Sequence, residues 1–292
     1  TTYSDSRIKT EQRPISYGLA DIMPAFGEAF PPEELDAVVA YLRTFCATAD
    51  RYPPGDLNFR RLLATGKAFP EAEVVMKTKM VPDEGETELE FVYENRLGPR
   101  FQYELEFPIR PAATDAGYGA GVGDVVVSGK YVLSFNPSKQ RILSGGLEVA
   151  LPTGSEQKDL GSGTPVFVPF LSFGKGIGST IFQTKLSAEL PADQERAART
   201  FKYAVGYSLP PIGTARTGFI AALELIGTYN WANEKHDQTA VIGVSKALNK
   251  LGHVIASVGM GFPLRPSEGP KPKEFRAYLL WDFGDGPIWT GW

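Results

Sequence analysis

Few residues in this sequence have side chains suited to nucleophilic, acid–base or metal chemistry. The 292 residues contain two histidines, His236 and His253, and one cysteine, Cys46. A single cysteine excludes an internal disulfide and a multi-cysteine metal cluster, and neither histidine has an evident serine and acid partner. We therefore predict that the protein is not an enzyme, with no catalytic residues and no metal site. His236 is interpreted as a loop residue.

The charged residues offer a different chemistry, because they recur at every second position among apolar residues. In residues 100–109, aromatic and aliphatic residues occupy the odd positions, while Arg100, Glu104 and Glu106 occupy even ones. A strand places alternate residues on opposite faces. If the apolar faces contact lipid, the charged faces line a watery lumen and become the candidate functional surface. The clearest candidates are Glu90, Glu94, Arg100, Glu104, Glu106, Lys130, Lys185, Glu189, Lys202 and Glu224.

The same alternation predicts about twelve strands between residues 71 and 292. Each segment is close to the ~10 residues that a tilted transmembrane strand needs. Long and short connections alternate, as in bacterial outer-membrane barrels, although 210–217 is longer than the pattern requires. The predicted fold is an all-β, antiparallel transmembrane β-barrel of about 12 strands in the bacterial outer membrane. The predicted strand centres are Met76, Phe91, Tyr103, Ser128, Leu147, Phe170, Thr184, Ala204, Ala222, Ile242, Ser257 and Leu279.

Composition limits the other possibilities without removing all of them. Hydrophobic residues make up 42% and charged residues 22%, which is not the composition of a disordered chain. The net charge of −4 argues against nucleic acid as a partner. A soluble β-sandwich that binds a ligand stays open, since its strands also have one apolar face.

The first 70 residues lack the alternation of the strands. A helix is predicted from Pro31, with a stripe of apolar residues reaching toward Phe45, and a second short helix over 59–65. The Pro-Pro-Gly at 53–55 is typical of a linker. We therefore expect a helical segment over 1–49, a linker over 50–70 and the barrel over 71–292.

Two stretches of the predicted barrel resemble the meta-pathway phenol-degradation (MetA-like) transporter family. Residues 121–131, Gly-Val-Gly-Asp-Val-Val-Val-Ser-Gly-Lys-Tyr, resemble the family's "GxGDxxxxxKY" strand. The sequence Leu-Pro-Thr-Gly at 151–154, followed by Leu-Gly-Ser-Gly at 160–163, is similar to its "LPTG…LGSG" hairpin. The resemblance implies an outer-membrane barrel for small, often hydrophobic molecules. It supplies no catalytic residues.

The N-terminal segment resembles the last third of a class I c-type cytochrome. The resemblance rests on Met-Pro-Ala-Phe-Gly at 23–27 and on the Pro-Pro-Glu-Glu-Leu helix start at 31–35. It implies that Met23 is the axial ligand of a haem c, in a periplasmic segment with a redox partner. Covalent haem attachment needs Cys-x-x-Cys-His, which is absent from this sequence. Either the haem-binding half lies upstream, or the segment is a remnant without haem.

These observations give three functional hypotheses. The first is passage of a small solute through a barrel that contacts outer-membrane lipid and has a periplasmic cytochrome c-like appendage. The second is an electron-transfer conduit, a fusion of cytochrome and porin. The third is the soluble β-sandwich binding protein.

Overall fold

The computed structural model contains one large antiparallel sheet. It describes residues 31, 33–34, 37–38, 41, 52–114, 117–213, 218–249, 252–267, 272–284 and 288–289. Within these ranges, no helix has the length and apolar character needed to span a membrane. The strands are β1 (Glu73–Val81), β2 (Glu86–Leu97), β3 (Phe101–Thr114), β4 (Gly117–Val122), β5 (Val126–Asn136), β6 (Arg141–Ala150), β7 (Val166–Ile177), β8 (Thr180–Pro191), β9 (Thr200–Ser208), β10 (Phe219–Asn230), β11 (Lys235–Ala247), β12 (Val254–Arg265) and β13 (Glu274–Asp282).

Twelve of these strands close into a barrel. Each pairs with its sequence neighbours, and β1 also pairs with β13, for example Val75 with Leu280. The remaining strand, β4, pairs only with the outer half of β3 and extends the wall beyond the barrel proper. Every predicted strand centre lies in one of the twelve barrel strands. The twelve-stranded antiparallel barrel is therefore confirmed, and the β-sandwich is wrong because the sheet closes on itself.

The outer surface of the barrel is an apolar band. Large outward-facing side chains remain exposed on every side of it, such as Leu133 at 50%, Leu223 at 56% and Ile242 at 56% of their full accessible area. A soluble protein rarely exposes a contiguous apolar surface of this extent. The inward faces carry glycine, serine and charged residues. The barrel is thus apolar where lipid would contact it and polar within, as in transmembrane barrels.

The two ends of the barrel differ in their connections. At one end, which we call the short-turn end, strands join through 98–100, 137–140 and 178–179. The longer connection 209–218 also lies there, so the structure confirms that one connection at this end is longer than the alternation of loop lengths requires. The opposite, long-loop end carries β4 and long segments such as 151–165. His236 lies in β11 rather than in a loop, and its Nε2 is 3.1 Å from the Tyr203 hydroxyl.

The N-terminal predictions have mixed outcomes. Of the helix predicted from Pro31, the structure describes 33–34, 37–38 and 41, and all of these residues are helical. Met23 and most of 1–49 lie outside the described residues. The helix predicted over 59–65 is wrong, because that stretch is irregular. The linker interpretation of 50–70 is also wrong for the described part, because Leu57 and Phe69 are fully or almost fully buried.

Candidate functional site

Residues 55–72, which we call the plug, lie inside the lumen of the barrel. Plug atoms contact inward-facing side chains from strands all around the wall. Among these contacts are Gln102 of β3, Gln183 of β8 and Tyr278 of β13. Only a segment within the lumen can reach strands on all sides of a closed barrel. The plug starts near the short-turn end, where Asn58 and Phe59 share a cavity with Ser179, and it ends where β1 begins.

Glu224 of β10 binds the tip of the plug. Its carboxylate accepts hydrogen bonds from the backbone N–H groups of Leu63 (2.8 Å), Ala64 (2.9 Å) and Thr65 (2.7 Å), and from the Thr65 hydroxyl (2.8 Å). Glu224 is only 2% exposed. These amides would bond to carbonyl groups in a helix, so the carboxylate replaces the predicted helix as their partner.

Arg61 joins the plug to the wall through two buried carboxylates. Its Nε donates to Oε1 of Glu73 at 2.9 Å, and its Nη2 donates to Oε1 of Glu94. The other oxygen of Glu94 accepts from Gln102 Nε2 at 2.8 Å. Burial acts to lower the pKa of Arg61, but Glu94 and Glu73 outweigh it and raise that pKa above its ordinary value. Arg61 therefore stays charged in the lumen.

Further along the plug, the Lys67 side chain forms an ion pair with Glu71. The backbone carbonyl oxygen of Lys67 accepts a hydrogen bond from Lys130 Nζ of β5 at 3.1 Å. Burial raises the pKa of Glu71 above its ordinary value, although the Lys67 ammonium acts to lower it. The Ala68 carbonyl accepts a hydrogen bond from the Ser144 hydroxyl of β6. Backbone groups that have no secondary structure of their own thus find partners in the wall.

The apolar side chains of the plug pack where the wall has glycine. Leu63 fills the space over Gly243 and Gly259, and a Cβ atom at either glycine would collide with its Cδ1 atom. At Gly174, a Cβ atom would lie 2.8 Å from Cδ2 of Phe59. Leu57, Phe59, Ala68 and Phe69 form one buried cluster with Val132 and Ile142 of the wall.

The plug separates two spaces in the lumen. Above it lies a chamber of about 120 Å³, lined among others by Glu104, Glu106 and Lys185. Below it, at the short-turn end, lies a cavity of about 450 Å³. Arg61 and Lys67 line both the chamber and the cavity, so these two spaces lie on opposite sides of the plug. A wider vestibule of about 660 Å³ lies toward the long-loop end.

The structure brings most of the predicted lumen residues together. Glu94, Glu104, Glu106, Lys130 and Lys185 line the chamber, and Glu90 lies beside it, paired with Lys77 at 2.6 Å. Glu224 contacts the plug at Leu63–Thr65. Two further candidates, Glu189 and Lys202, pair with each other in the long-loop vestibule.

Arg100 is the candidate that lies apart from the others. It occupies the 98–100 turn, where its Cζ atom is 5.1 Å from the centre of the Phe135 ring, so it stacks at the short-turn end instead of lining the chamber.

Sequence reasoning missed several residues that define the site. Arg61 and Lys67 were assigned to a linker, and the neutral hydrogen-bonding residues Gln102, Gln183 and Tyr278 were passed over in favour of charged ones. The alternation of apolar and polar residues could have identified Gln102, Gln183 and Tyr278, because each lies on the inward face of its strand. No comparable local pattern marks the plug residues.

The two family-like motifs form a single structural unit at the long-loop end. Asp124 accepts hydrogen bonds from the backbone N–H of Gly154 (2.9 Å) and from the backbone N–H (2.7 Å) and hydroxyl (2.8 Å) of Ser162. The Leu160 side chain packs on Gly121 so closely that a Cβ atom there would collide with it. The motifs therefore stabilise the 151–165 loop against β4, and they do not line the chamber.

Comparison with known proteins identifies the fold. The crystal structure of the COG4313 outer membrane channel from Pseudomonas putida F1 matches over 80% of this chain and 100% of its own, with 17% identity and a TM-score of 0.55. The NanC porin matches over 72% of this chain and 98% of its own, with 8% identity and a TM-score of 0.50. No family model matches the sequence, and no curated protein matches it. The chain has the fold of these outer-membrane barrels.

Proposed function

We propose that the protein is an outer-membrane channel for a small solute, closed by its own plug. The observation that carries this proposal is a closed barrel with an exposed apolar outer band and a charged lumen. Such a surface is stable only where lipid covers it. The similarity of the fold to an outer membrane channel and to a porin supports the same location and role.

In the plugged state, residues 55–72 fill the middle of the lumen, where they contact inward-facing side chains of β3, β8 and β13. The chamber above the plug has a volume of about 120 Å³. A water molecule takes up about 30 Å³ of liquid, so the chamber holds only a few waters. Passage therefore requires that residues 55–72 move away from Glu224 and from the Glu73–Glu94 pair.

The resemblance to the MetA-like transporters gives the finer form of this proposal. The structure supports it to the extent that both motifs meet through Asp124 in one loop unit. We propose membership of that family on this basis. The resemblance leaves the solute unassigned.

The proposed periplasmic position of the N-terminal segment follows from the path of the plug. Both ends of the plug lie toward the short-turn end, the periplasmic side in bacterial barrels. Haem binding and a redox partner belong to the electron-transfer hypothesis, and without Cys-x-x-Cys-His this sequence cannot by itself attach haem c. An absorption spectrum of the purified protein with a Soret band would favour the electron-transfer hypothesis.

The channel proposal is tested in two steps. Protein extracted by detergent from fractionated cell envelopes should come from the outer membrane and migrate faster unboiled than boiled, as a folded barrel does. In planar lipid bilayers it should then be mostly closed, with brief openings that become frequent when the plug is weakened. A soluble protein with one mobility would contradict the membrane location. A folded barrel that conducts in no variant would contradict the channel.

A further inference from the structure

We propose that the Glu73–Glu94 carboxylate pair is a binding site for a guanidinium or ammonium group of the transported solute, and that Arg61 occupies it as a built-in ligand in the closed state. The proposal rests on the proposed channel function and adds a solute class to it.

The site has the geometry of a cation receptor. Two carboxylates from adjacent strands, Glu73 of β1 and Glu94 of β2, lie directly opposite each other in the sheet register. Each is 1% exposed, and both contact the single planar guanidinium of Arg61. Gln102 holds the second oxygen of Glu94, which fixes its orientation. Planar guanidinium groups favour such paired carboxylate oxygens.

The cations that pair with these carboxylates come from the plug. Arg61 pairs with both, and Lys67 Nζ lies 4.0 Å from Glu73 Oε2. The wall lysines Lys77 and Lys185 already have carboxylate partners, Glu90 and Glu148. Lys130 lines the same chamber as Glu94, and its Nζ donates to the plug carbonyl of Lys67 at 3.1 Å.

When the plug leaves, the wall at this depth gains negative charge. Glu73 and Glu94 lose the Arg61 guanidinium, and Glu224 loses the plug amides, so these three carboxylates are left facing the open lumen. A lumen lined by one sign of charge concentrates ions of the opposite sign. The open channel should therefore select cations, and a cation in the lumen should bind most tightly to the Glu73–Glu94 pair that Arg61 has left.

The main test uses the full chain with Arg61→Ala. Removing one partner of a buried ion pair is strongly destabilising, so the ratio of open to closed channel should rise on the order of a hundredfold. Guanidinium chloride at millimolar concentration should then close the channel again, because the ion fills the vacated site. Sodium chloride at equal ionic strength is the control, and methylammonium chloride tests an ammonium group.

Matched double variants separate this site from the rest of the chamber. Guanidinium should leave the open probability of R61A/E94Q unchanged, whereas it should still close R61A/E104Q, because Glu104 lines the same chamber without an ion pair to Arg61. In a potassium chloride gradient, the open R61A channel should show a reversal potential that favours potassium. An anion-selective R61A channel, or closure that is equal in sodium chloride and guanidinium, would overturn the proposal.

A binding measurement keeps the inference separate from conduction. Millimolar guanidinium should raise the temperature at which detergent-solubilised R61A loses its fast unboiled mobility, and it should not do so for R61A/E94Q. If R61A and E224Q fold but neither conducts, the channel proposal fails, while this thermal readout still decides whether the carboxylate pair binds a cation. Equal thermal responses of R61A and R61A/E94Q would refute the binding site.

Discussion

Glu224 gives the sharpest test of the plugged-channel proposal, through the substitution Glu224→Gln. One carboxylate oxygen, Oε1, accepts a single hydrogen bond from the plug, and Oε2 accepts the other three. With its carbonyl oxygen at the Oε2 position, glutamine keeps those three as neutral hydrogen bonds. Its NH₂ group then faces the Leu63 N–H, and that bond is lost.

The expected cost follows from these contacts. A hydrogen bond to a charged group contributes about 1.5–3 kcal/mol and a neutral one about 0.5–1.5 kcal/mol. Losing one charged bond and weakening three, offset by the easier burial of an amide, gives a net cost of about 3 kcal/mol for the bound plug. At 1.4 kcal/mol per factor of ten, the open-to-closed ratio should rise roughly a hundredfold. E224L should open further, because it leaves three backbone N–H groups without an acceptor.

Two assays report the same equilibrium. Single-channel recording gives the open probability directly. Trypsin cleavage gives it independently, because Arg60, Arg61 and Lys67 are cut only when the plug leaves the lumen, and proteolysis tracks the open population when closing is fast. Glu189→Gln is the matched control, since Glu189 also faces the lumen but pairs with Lys202 and contacts no plug residue among those described. If E224Q matches E189Q in both assays, the plug is not held by this carboxylate and the reasoning is wrong.

Three further predictions test other parts of the structure. Gly243→Leu should push Leu63 out of the lumen and open the channel, whereas Gly261→Ala, facing the flexible Glu274 side chain, should not; equal recordings from the two would contradict the packing argument. Asp124→Ala removes three hydrogen bonds, which should cost about 2–4 kcal/mol of stability. It should therefore lower the temperature at which the fast unboiled mobility is lost without opening the channel, and Asp83→Ala, at an exposed position, is the control. The raised pKa of Glu71 means that its contribution to the bound plug is complete below its ordinary pKa of 4.5 and declines as the pH rises through the raised value. E71Q, which mimics the protonated form, should therefore be more closed than the wild type at neutral pH, and an E71Q channel that opens more often would contradict this sign.

The barrel could be predicted because its determinants are local. A strand in a membrane barrel must present an apolar residue to lipid at every second position, so each of the twelve segments carries its own signal in about ten residues. The stretch Phe101–Ile109 shows this clearly, with its odd positions facing outward and Gln102 and Glu104 facing the lumen. The β4 strand is not among the twelve predicted segments, because its Gly-Tyr-Gly-Ala-Gly-Val sequence is too rich in glycine to be predicted as a strand.

The plug could not be predicted because its determinants are distant in sequence. Leu63 and Glu224 are separated by 161 positions, and Arg61 and Tyr278 by 217. The Pro-Pro-Gly at 53–55 has the composition of a linker, and the apolar spacing over 59–65 is compatible with one helical turn. Neither local interpretation includes the contacts with the wall, which supplies a carboxylate to three consecutive backbone amides, Gly206 to Leu62, and Gly243 and Gly259 to Leu63.

The pairing of plug and wall also explains how one sequence can support a closed and an open lumen. Glycine at 174, 243 and 259 leaves space that the plug side chains Phe59 and Leu63 occupy, which indicates that the wall is shaped for the plug. The carboxylates of Glu73, Glu94 and Glu224 lose plug partners when it leaves, but water enters the lumen and solvates them, so the cost of an unpaired buried charge does not arise. The apolar contacts of Leu57, Phe59 and Phe69 have no such replacement, because their burial is lost on opening. The apolar side chains and the polar contacts of Arg61 and of the Leu63–Thr65 amides therefore both favour the closed state, while the ion pairs also fix where the plug binds and which solute charge can compete with it.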